Sequence, residues 1–372
     1  MSDLVRMKVA PERRQLHERI WRMNIRELRI GRNLINDESD CYVIAEIGHN
    51  HQGNLEKCRQ MFLAAKTAGA NAVKLQKRDN KTLFTREAYN KPYDNENSYG
   101  ATYGEHREFL EFGLDEYVNL QQYAKELGLD FFATAFDVPS ADFLHELGMP
   151  AYKFASGDIK SIPLLIHVAK FGKPLIISTG GASLEDVRRA YDAVAPINNQ
   201  ICFMQCTGGY PPEWHELNLR VIETLRREFP GIVVGFSSHD SGIAMAVAAY
   251  VLGARVIEKH FTLNRAQKGT DHAFSLEPDG LRKMVRDLRR LKVALGDGNK
   301  IMFPSEKAPI TKMGKSLVAS HDLPKGHVLT AGDIAMKSPG GGLPPYEWDN
   351  LLGKTLVNSV HEDEPFDYAK LS

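Results

Sequence analysis

The sequence has few cysteines and no long uninterrupted hydrophobic run. Its 372 residues include four cysteines, which lack both the paired CxxC spacing of a zinc site and the density of a secreted disulfide scaffold: Cys41, Cys58, Cys202 and Cys206. Apolar stretches such as 242–253 fall well short of the roughly 18 residues that a membrane-spanning helix needs. The N-terminus lacks the apolar segment of a signal peptide. We therefore expect a soluble protein of a reducing compartment, the cytoplasm.

The sequence also lacks a net charge. Its 47 Lys and Arg residues balance 47 Asp and Glu residues, so no overall attraction favours nucleic acid or a membrane surface as a partner. A hydrophobic fraction of 43% with 9% aromatic residues is typical of globular domains and excludes a disordered chain. Arginines and glutamates are mixed in residues 1–24, and we interpret this extension as a solvated arm or a packing helix.

From Cys41 onward, short apolar or β-branched runs alternate with amphipathic stretches of helical period. The predicted strands cover 42–47, 72–76, 131–135, 151–155, 174–178, 201–205, 232–236 and 255–259. The predicted helices lie near 55–69, 115–128, 140–147, 162–171, 183–195, 217–229, 241–253 and 279–296. Eight such repeats predict an α/β fold, a (β/α)₈ TIM barrel over 41–297. A doubly wound open sheet is the alternative, because periodicity does not prove closure.

Further segments flank the predicted barrel. Residues 26–35 predict a short hairpin around Gly31 that plugs the bottom of the barrel, so we assign 1–40 to an N-terminal extension and hairpin. Residues 298–315 combine Gly, Pro and charge, which is typical of a linker. Short alternating runs separated by Pro-Gly turns predict a small β-rich second domain over 316–372.

Polar side chains end or follow the predicted strands, where TIM barrels place their active sites. Two lysines in otherwise apolar strands, Lys74 and Lys153, are accompanied by the amide and hydroxyl groups of Gln76, Thr134, Ser156, Ser178 and Ser237. Ammonium groups neutralise phosphate or carboxylate, and hydroxyls contact its oxygens, so this set predicts an anion pocket. The alternative is that each lysine is structurally paired, since a buried lysine without a partner is costly.

His239 and His260 end adjacent predicted strands. Their imidazoles are candidates for a divalent metal site with open positions, and the alternative is that each is a hydrogen-bonded core or surface residue. Glu46, Asp158 and Asp271 are candidates for general acid–base catalysis or for binding substrate hydroxyls. Each carboxyl group also fits a purely structural role.

Other motifs in these loops are interpreted as structural. The spacing of His49 and His51 favours hydrogen bonds that fix a loop over a second metal site. Cys202 and Cys206 are interpreted as small core residues. Residues 313–316, MGKS, lack the glycine context of a phosphate-binding loop.

Eight motifs occur in order at the strand ends: AEIGHNHQG (45–53), NAVKLQ (71–76), YKFASGD (152–158), IISTGG (176–181), QCTGGYP (205–211), GFSSH (235–239), IEKHFT (257–262) and KGTDHAFSLEP (268–278). Together they resemble the sialic acid synthase family, enzymes that condense phosphoenolpyruvate (PEP) with a sugar to make nonulosonic acids. Residues 316–334 are similar to the antifreeze-like SAF domain of that family. The resemblance implies a TIM barrel followed by an SAF domain.

The resemblance also implies a role for each matching position. The family's metal, Mn²⁺ with Mg²⁺ or Co²⁺ as alternatives, falls on His239 and His260. PEP contacts fall on Lys74, Gln76, Thr134, Lys153, Ser156, Ser178 and Ser237, and sugar contacts fall on Glu46, Phe136, Asp158, Tyr210 and Asp271. The implied catalytic residues are Glu46, Asp158, His239 and His260. In the family, the metal polarises the open-chain sugar aldehyde, C3 of PEP attacks it, water adds at C2, and phosphate departs by C–O cleavage.

The matching positions leave the acceptor sugar open. The resemblance implies Glu, Asn and an SAF-domain arginine at three positions of the bacterial members that use free N-acetylmannosamine. At these positions this chain has Asp158, Gly208 and Ser338. Residues 81–112 and 267–278 are more similar to the animal type, which takes the 6-phosphorylated sugar. The expected acceptors are therefore N-acetylmannosamine, mannose or the 6-phosphate, and the expected product is a nine-carbon 2-keto acid.

Three other functions fit parts of the same sequence. A Schiff-base aldolase with Lys153 or Lys74 as nucleophile is one alternative, and a synthase of the legionaminic or pseudaminic type is another. A non-catalytic sugar- or ice-binding protein is a third. The resemblance implies a homodimer in which the SAF domain of one chain caps the barrel of the other. From the balanced charge we expect neither nucleic acid nor a membrane as a partner.

Overall fold

The computed structural model describes residues 26–372, so the extension predicted over 1–24 lies outside the described residues. The chain divides into two units, one that ends at Leu295 and one that begins at Gly296. The first unit starts with a hairpin of two antiparallel strands, β1 (Glu27–Ile30) and β2 (Asn33–Asn36), which confirms the predicted hairpin.

Eight parallel strands of the first unit close into a barrel. They are β3 (Tyr42–Gly48), β4 (Ala72–Lys77), β5 (Asp130–Ala135), β6 (Tyr152–Phe154), β7 (Leu175–Ser178), β8 (Ile201–Gln205), β9 (Val233–Ser238) and β10 (Val256–His260). Each strand pairs with the next along the chain, and β10 pairs with β3. This closure confirms the predicted TIM barrel and excludes the open doubly wound sheet.

Helices follow the barrel strands. They are α1 (Leu55–Ala68), α2 (Asn80–Leu83), α3 (Arg86–Asn90), α4 (Tyr103–Leu110), α5 (Leu114–Leu127), α6 (Val138–Glu146), α7 (Ile162–Ala169), α8 (Leu184–Val194), α9 (Val221–Glu228), α10 (Ala244–Val251) and α11 (Pro278–Ala294). The eight predicted helices are present, and α2, α3 and α4 are additional helices in the connection between β4 and α5. A capping box between Thr102 and Glu105 marks the start of α4. Across residues 26–372, no helix is both long and apolar enough to cross a membrane.

The first βα unit shows why the sequence folds in this way. All seven residues of β3 are buried, as expected for a parallel strand that is covered on both faces. Helix α1 begins after Asn54, whose side chain accepts a hydrogen bond from the backbone N–H of Lys57, and ends at Gly69 in the left-handed region at φ 91°. Its buried face includes Met61 and Phe62, which pack in the barrel core.

The β1–β2 hairpin packs at the amino ends of the barrel strands. Asp130, the first residue of β5, accepts hydrogen bonds from Asn33 Nδ2 and from the Tyr42 hydroxyl, each at 2.7 Å. Leu28 and Ile35 are buried in the same hydrophobic core as the barrel. The hairpin therefore covers the end of the barrel opposite the strand carboxyl ends, as predicted.

The second unit is small and has its own core. It contains helix α12 (Lys307–Met313), the antiparallel strands β11 (Ser316–Ala319) and β12 (Ile334–Lys337), and helix α13 (Trp348–Leu351). Its core is built mainly from aliphatic side chains, together with Phe366: Leu317, Leu323, Leu329, Ile334, Leu351, Leu356 and Val360. Helix α12 lies inside the segment predicted as a linker, and the predicted domain limits of 41–297, 298–315 and 316–372 stay predictions.

Two neighbouring residues of β2 predict how much the hairpin stabilises the barrel. Ile35 is 1% exposed and Leu34 is 39% exposed. We expect Ile35→Ala to lower the free energy of unfolding by about 2–5 kcal/mol through lost burial and a cavity. Leu34→Ala should cost much less, because the surface it loses is already partly hydrated. Denaturant unfolding measures both, and equal costs would show that the hairpin is not part of the cooperative core.

Candidate active site

The carboxyl ends of the barrel strands surround a cavity of about 570 Å³, which suits a small-molecule ligand. Every residue predicted for the site except Asp158 lines it: Glu46, Lys74, Gln76, Thr134, Phe136, Lys153, Ser156, Ser178, Tyr210, Ser237, His239, His260 and Asp271. This position in the barrel is where TIM-barrel enzymes carry out their chemistry. The individual roles of these residues stay predictions.

Asp158 lies next to the cavity without lining it. It ends a 3₁₀ turn, Ser156–Asp158, whose first residue does line the cavity. Ser161 Oγ donates a hydrogen bond to Asp158 Oδ1 at 3.4 Å. Burial raises the pKa of Asp158 to about 6. The structure therefore places Asp158 behind the wall of the cavity as a half-buried carboxyl group.

Further residues line the cavity that sequence reasoning did not assign to the site: Arg78, Asn97, Arg107, Ala155, Cys206, Glu258 and Thr270. Glu258 precedes His260 by two residues and Arg78 follows Gln76 by two, so the strand period of two was the available signal for both. Cys206 is buried but faces the cavity, which corrects its interpretation as a core residue.

Lys74 is buried and paired through side chains of two neighbouring strands. Its Nζ lies 2.6 Å from Glu46 Oε2 and donates a hydrogen bond to Thr134 Oγ1 at 2.6 Å. Glu46 also accepts a hydrogen bond from Gln76 Nε2 at 2.9 Å through its other oxygen. These partners offset the cost of removing the ammonium group from water.

Lys153 shares a second carboxylate with Lys74. Its Nζ donates a hydrogen bond to Ser178 Oγ at 2.7 Å and lies 3.5 Å from Glu258 Oε1. Glu258 accepts a hydrogen bond from Ser237 Oγ at 3.0 Å, and its other oxygen lies 3.9 Å from Lys74 Nζ. One carboxylate therefore bridges two ammonium groups that both face the cavity. Structural pairing and an anion pocket, the two alternatives for these lysines, are compatible in this arrangement.

The shared charges separate the pKa values of the two glutamates. Burial raises the pKa of Glu46 to about 6, since it outweighs the lowering effect of Lys74. Burial also raises the pKa of Glu258, but Lys153 and Lys74 outweigh it and hold that pKa well below the usual range of a carboxyl group. Glu258 is therefore the permanent negative charge of the cavity, and Glu46 is the group that can gain or lose a proton near neutral pH.

His239 and His260 lie side by side, with ring centroids 5.3 Å apart. His239 Nδ1 is 3.1 Å from the carbonyl oxygen of Thr207, so this nitrogen carries the proton and Nε2 keeps a free lone pair. Among the described residues, His260 Nδ1 is buried without a hydrogen-bond partner, and it lies 3.7 Å from Asp271 Oδ2. Burial lowers the pKa of His239 to about 4 and also lowers the pKa of His260, so both rings are neutral at neutral pH.

This histidine pair fits a divalent cation. Neutral imidazoles are common metal ligands, and the hydrogen bond from His239 to Thr207 is the kind of second contact that fixes a ligand ring. Within residues 26–372, no group of three or more His, Cys, Asp or Glu side chains is placed to hold a metal ion. The site therefore offers two protein ligands, and the other coordination positions would be left for water or substrate.

The contacts of His51 agree with its interpretation as a loop-fixing residue. His51 Nδ1 accepts a hydrogen bond from the backbone N–H of Gly53 at 3.1 Å, and its ring stacks on Phe112 at 4.1 Å between centroids. The His49 ring lies between Arg78 and Arg107, each with an Nη1 atom 3.2 Å from one of its nitrogens.

The bridging position of Glu258 predicts a large effect on stability. Glu258→Gln leaves Lys153 buried without a countercharge, so we expect the free energy of unfolding to fall by about 3–5 kcal/mol. Glu185→Gln is the control, because that side chain is 82% exposed and its loss should leave stability nearly unchanged. Denaturant unfolding followed by intrinsic fluorescence compares the two, and similar stabilities would contradict the proposed pairing.

Comparisons with known families and proteins agree with the fold. The NeuB family model matches residues 61–300, and the SAF domain model matches residues 314–372. The chain is 43% identical over 331 residues to N-acetylneuraminate-9-phosphate synthase of Homo sapiens, covering 89% of this chain and 92% of that protein. It is 35% identical over 322 residues to N,N'-diacetyllegionaminic acid synthase of Legionella pneumophila, covering 85% of this chain and 90% of that protein.

A solved structure is similar over most of its length. The crystal structure of N-acetylneuraminic acid (sialic acid) synthetase from Leptospira borgpetersenii matches with a TM-score of 0.68 and 31% identity, covering 77% of this chain and 95% of that chain. These matches confirm the resemblance that the eight motifs and residues 316–334 predicted. The chain therefore belongs to the NeuB family and carries a C-terminal SAF domain.

Proposed function

We propose that this protein condenses PEP with the open-chain form of a mannose-type sugar, giving a nine-carbon 2-keto acid and inorganic phosphate. The observation that carries the proposal is the pair of buried lysines, Lys74 and Lys153, in the same cavity as His239 and His260. The names of the relatives, an N-acetylneuraminate-9-phosphate synthase and an N,N'-diacetyllegionaminic acid synthase, support the same reaction class.

The lysine end of the cavity suits PEP. PEP carries a phosphate and a carboxylate close together, so it needs closely spaced cations and several hydrogen-bond donors. We assign these contacts to Lys74, Gln76, Thr134, Lys153, Ser156, Ser178 and Ser237, all of which line the cavity. Holding the nucleophile in one orientation lowers the entropic part of the barrier to reaction.

The proposed reaction forms one carbon–carbon bond and releases phosphate. C3 of PEP attacks the aldehyde carbon of the sugar, water adds at C2, and the C–O bond to phosphate breaks. PEP, sugar and water are thus converted to keto acid and phosphate without an oxidant or reductant. We assign Glu46 to accept the proton that leaves the water or a sugar hydroxyl. Contacts to the acceptor are assigned to Phe136, Tyr210 and Asp271 in the cavity wall and to Asp158 behind it.

We further propose that His239 and His260 hold a divalent ion, Mn²⁺ in the first place and Mg²⁺ or Co²⁺ as alternatives. When bound, such an ion polarises a carbonyl oxygen as a Lewis acid. The neutral imidazole rings support this assignment, as does His260 Nδ1, which is buried and has no hydrogen-bond partner among residues 26–372. Tyr210 packs against His239 with ring centroids 3.9 Å apart and keeps that ring in place.

The lysine contacts disfavour a Schiff-base aldolase. A Schiff base forms from a neutral amine, whereas Lys74 and Lys153 lie 2.6 Å and 3.5 Å from the carboxylate oxygens of Glu46 and Glu258, which stabilise the ammonium form. The geometry therefore supports anion binding by these lysines over nucleophilic attack. A synthase of the legionaminic or pseudaminic type remains the alternative within the same reaction class.

We propose that the protein is a cytoplasmic homodimer in which the SAF domain of one chain caps the barrel of the other, as the family resemblance implies. Sedimentation of the active protein tests this directly, and a fully active monomer would contradict it.

The proposed activity is tested by phosphate release from PEP in the presence of Mn²⁺. The acceptors are mannose, N-acetylmannosamine, their 6-phosphates and a 2,4-diacetamido-dideoxy hexose, with and without a chelator. We expect release that depends on both metal and one class of acceptor. If no acceptor leads to phosphate release and PEP does not protect the fold against heat, the proposal is contradicted.

Glu46 predicts the acid limb of the pH profile. A protonated Glu46 cannot accept a proton, so we expect kcat/KM to fall as the pH drops through about 6. Glu46→Gln should lower turnover by about 10²–10⁴ and remove that limb from the residual activity, while PEP still protects the fold against heat. Turnover of Glu46→Gln equal to that of the unsubstituted enzyme would remove Glu46 from the mechanism.

A further inference from the structure

We propose that Arg78 and Arg107 form a second anion subsite in the cavity, which binds the phosphate of a phosphorylated acceptor sugar. Both guanidinium groups line the cavity that also contains the lysine pair. The inference rests on the proposed function for the identity of the acceptor, but the anion subsite itself rests on the contacts of these two side chains.

The guanidinium group of Arg78 is held in place by the cavity wall. Its side chain is 8% exposed, its Nη2 donates a hydrogen bond to Gln76 Oε1 at 2.7 Å, and it stacks 3.7 Å above the centre of the Phe136 ring. Its Nη1 lies 3.2 Å from Nε2 of His49. Arg107 approaches the same imidazole from the other side, with Nη1 3.2 Å from His49 Nδ1. Two arginines therefore face the two nitrogens of one histidine.

Around His49, hydrogen-bond donors outnumber acceptors, although Glu111 Oε1 also lies 3.5 Å from His49 Nε2. A neutral imidazole has one donor and one acceptor nitrogen, and an arginine has donors only. One of the two contacts between His49 and the arginines must therefore bring a donor to a donor. Burial, together with the charges of Arg78 and Arg107, keeps the pKa of His49 well below its usual value, so the ring itself is uncharged. A bound anion with several oxygens would accept hydrogen bonds from the N–H groups that lack an acceptor.

The two arginines have few carboxylates close by. Asp271 lines the same cavity, but its Oδ2 lies 3.7 Å from His260 Nδ1. Glu111 Oε1 lies 3.9 Å from Arg78 Nη1, but the same carboxylate lies 3.4 Å from Lys77 Nζ. In the part of the chain that the structure describes, Arg107 has no carboxylate within 4 Å, and its Nε and Nη2 donate to the Tyr103 hydroxyl. A dianionic phosphate matches both the charge and the fork geometry of two guanidinium groups.

The position of Arg78 suits the far end of an acceptor sugar. Lys74, Gln76 and Arg78 alternate along β4 and its extension, and four residues at about 3.3 Å each separate the α-carbons of Lys74 and Arg78 by roughly 13 Å along the strand. An open-chain hexose has five C–C bonds of about 1.5 Å, so its C1 and C6 lie roughly 6 Å apart. A sugar that extends along β4 from a C1 next to PEP would bring its C6 phosphate to the side chain of Arg78, which lines the same cavity as the lysine pair.

Steady-state kinetics with matched sugars test the subsite. The quantity to compare is the ratio of kcat/KM for a 6-phosphorylated acceptor to that for the same sugar without phosphate. We expect a ratio well above one in the unsubstituted protein, and a fall of about 10- to 100-fold in Arg78→Gln and in Arg107→Gln, because each loses charge-assisted hydrogen bonds. Arg59→Gln is the control, since Arg59 stacks on Tyr123 at 3.9 Å but does not line the cavity. A ratio below one, or one unchanged in both variants, would overturn the proposal.

Direct binding separates this inference from the proposed function. Calorimetry with mannose 6-phosphate and with mannose, in the presence of PEP but without the metal, requires no turnover. Preference for the phosphorylated sugar that disappears in Arg107→Gln supports the subsite even if no acceptor releases phosphate from PEP. Equal binding of the two sugars to the unsubstituted protein would overturn the subsite and leave the PEP reaction intact. Arg107 is half-buried, so its variant remains informative if Arg78→Gln does not fold.

Discussion

The buried contacts among Lys74, Lys153, Glu46 and Glu258 are the constraint on which the rest of the site depends. Removing an ammonium group from water costs several kcal/mol, and each lysine is stable here because carboxylates and hydroxyls of neighbouring strands surround it. Those carboxylates come from β3 and β10, the first and last strands of the barrel, which closure makes neighbours. The fold therefore assembles a charged site that no single segment of the chain could hold.

The two lysines and two glutamates have no net charge together when all four are ionised. The two glutamates nevertheless differ in their pKa values, so one of them can exchange a proton while the other stays charged. Glu258 stays ionised between two ammonium groups, whereas burial brings the pKa of Glu46 close to neutrality. A bound anion would raise the proton affinity of Glu46 further, because like charges oppose ionisation. Arg78 and Arg107 form a second cationic group in the cavity, for which we propose a second anion, and His239 and His260 line the same cavity.

Most of the barrel could be predicted from the sequence, because hydrophobic runs and helix ends are local signals. The eight strands, the hairpin and the residues that end the strands follow from them. Glu258 and Arg78 were missed although the period of two along β10 and β4 places both on the cavity face. Arg107 could not be predicted in the same way, because it lies on α4, in a connection whose packing depends on distant residues. Asp158 follows β6 by the same signal but lies next to the cavity without lining it, so its role stays a prediction.

The central claim is that Lys74 and Lys153 bind the anionic nucleophile, and PEP binding to lysine variants tests it most directly. Lys259→Met is a matched control, because Lys259 is equally buried and paired, 2.9 Å from Asp240 Oδ1, but does not line the cavity. Calorimetry at a temperature at which both variants are folded should show PEP binding to Lys259→Met and binding at least about tenfold weaker to Lys153→Met. PEP binding to Lys153→Met that equals binding to the unsubstituted protein would contradict the account.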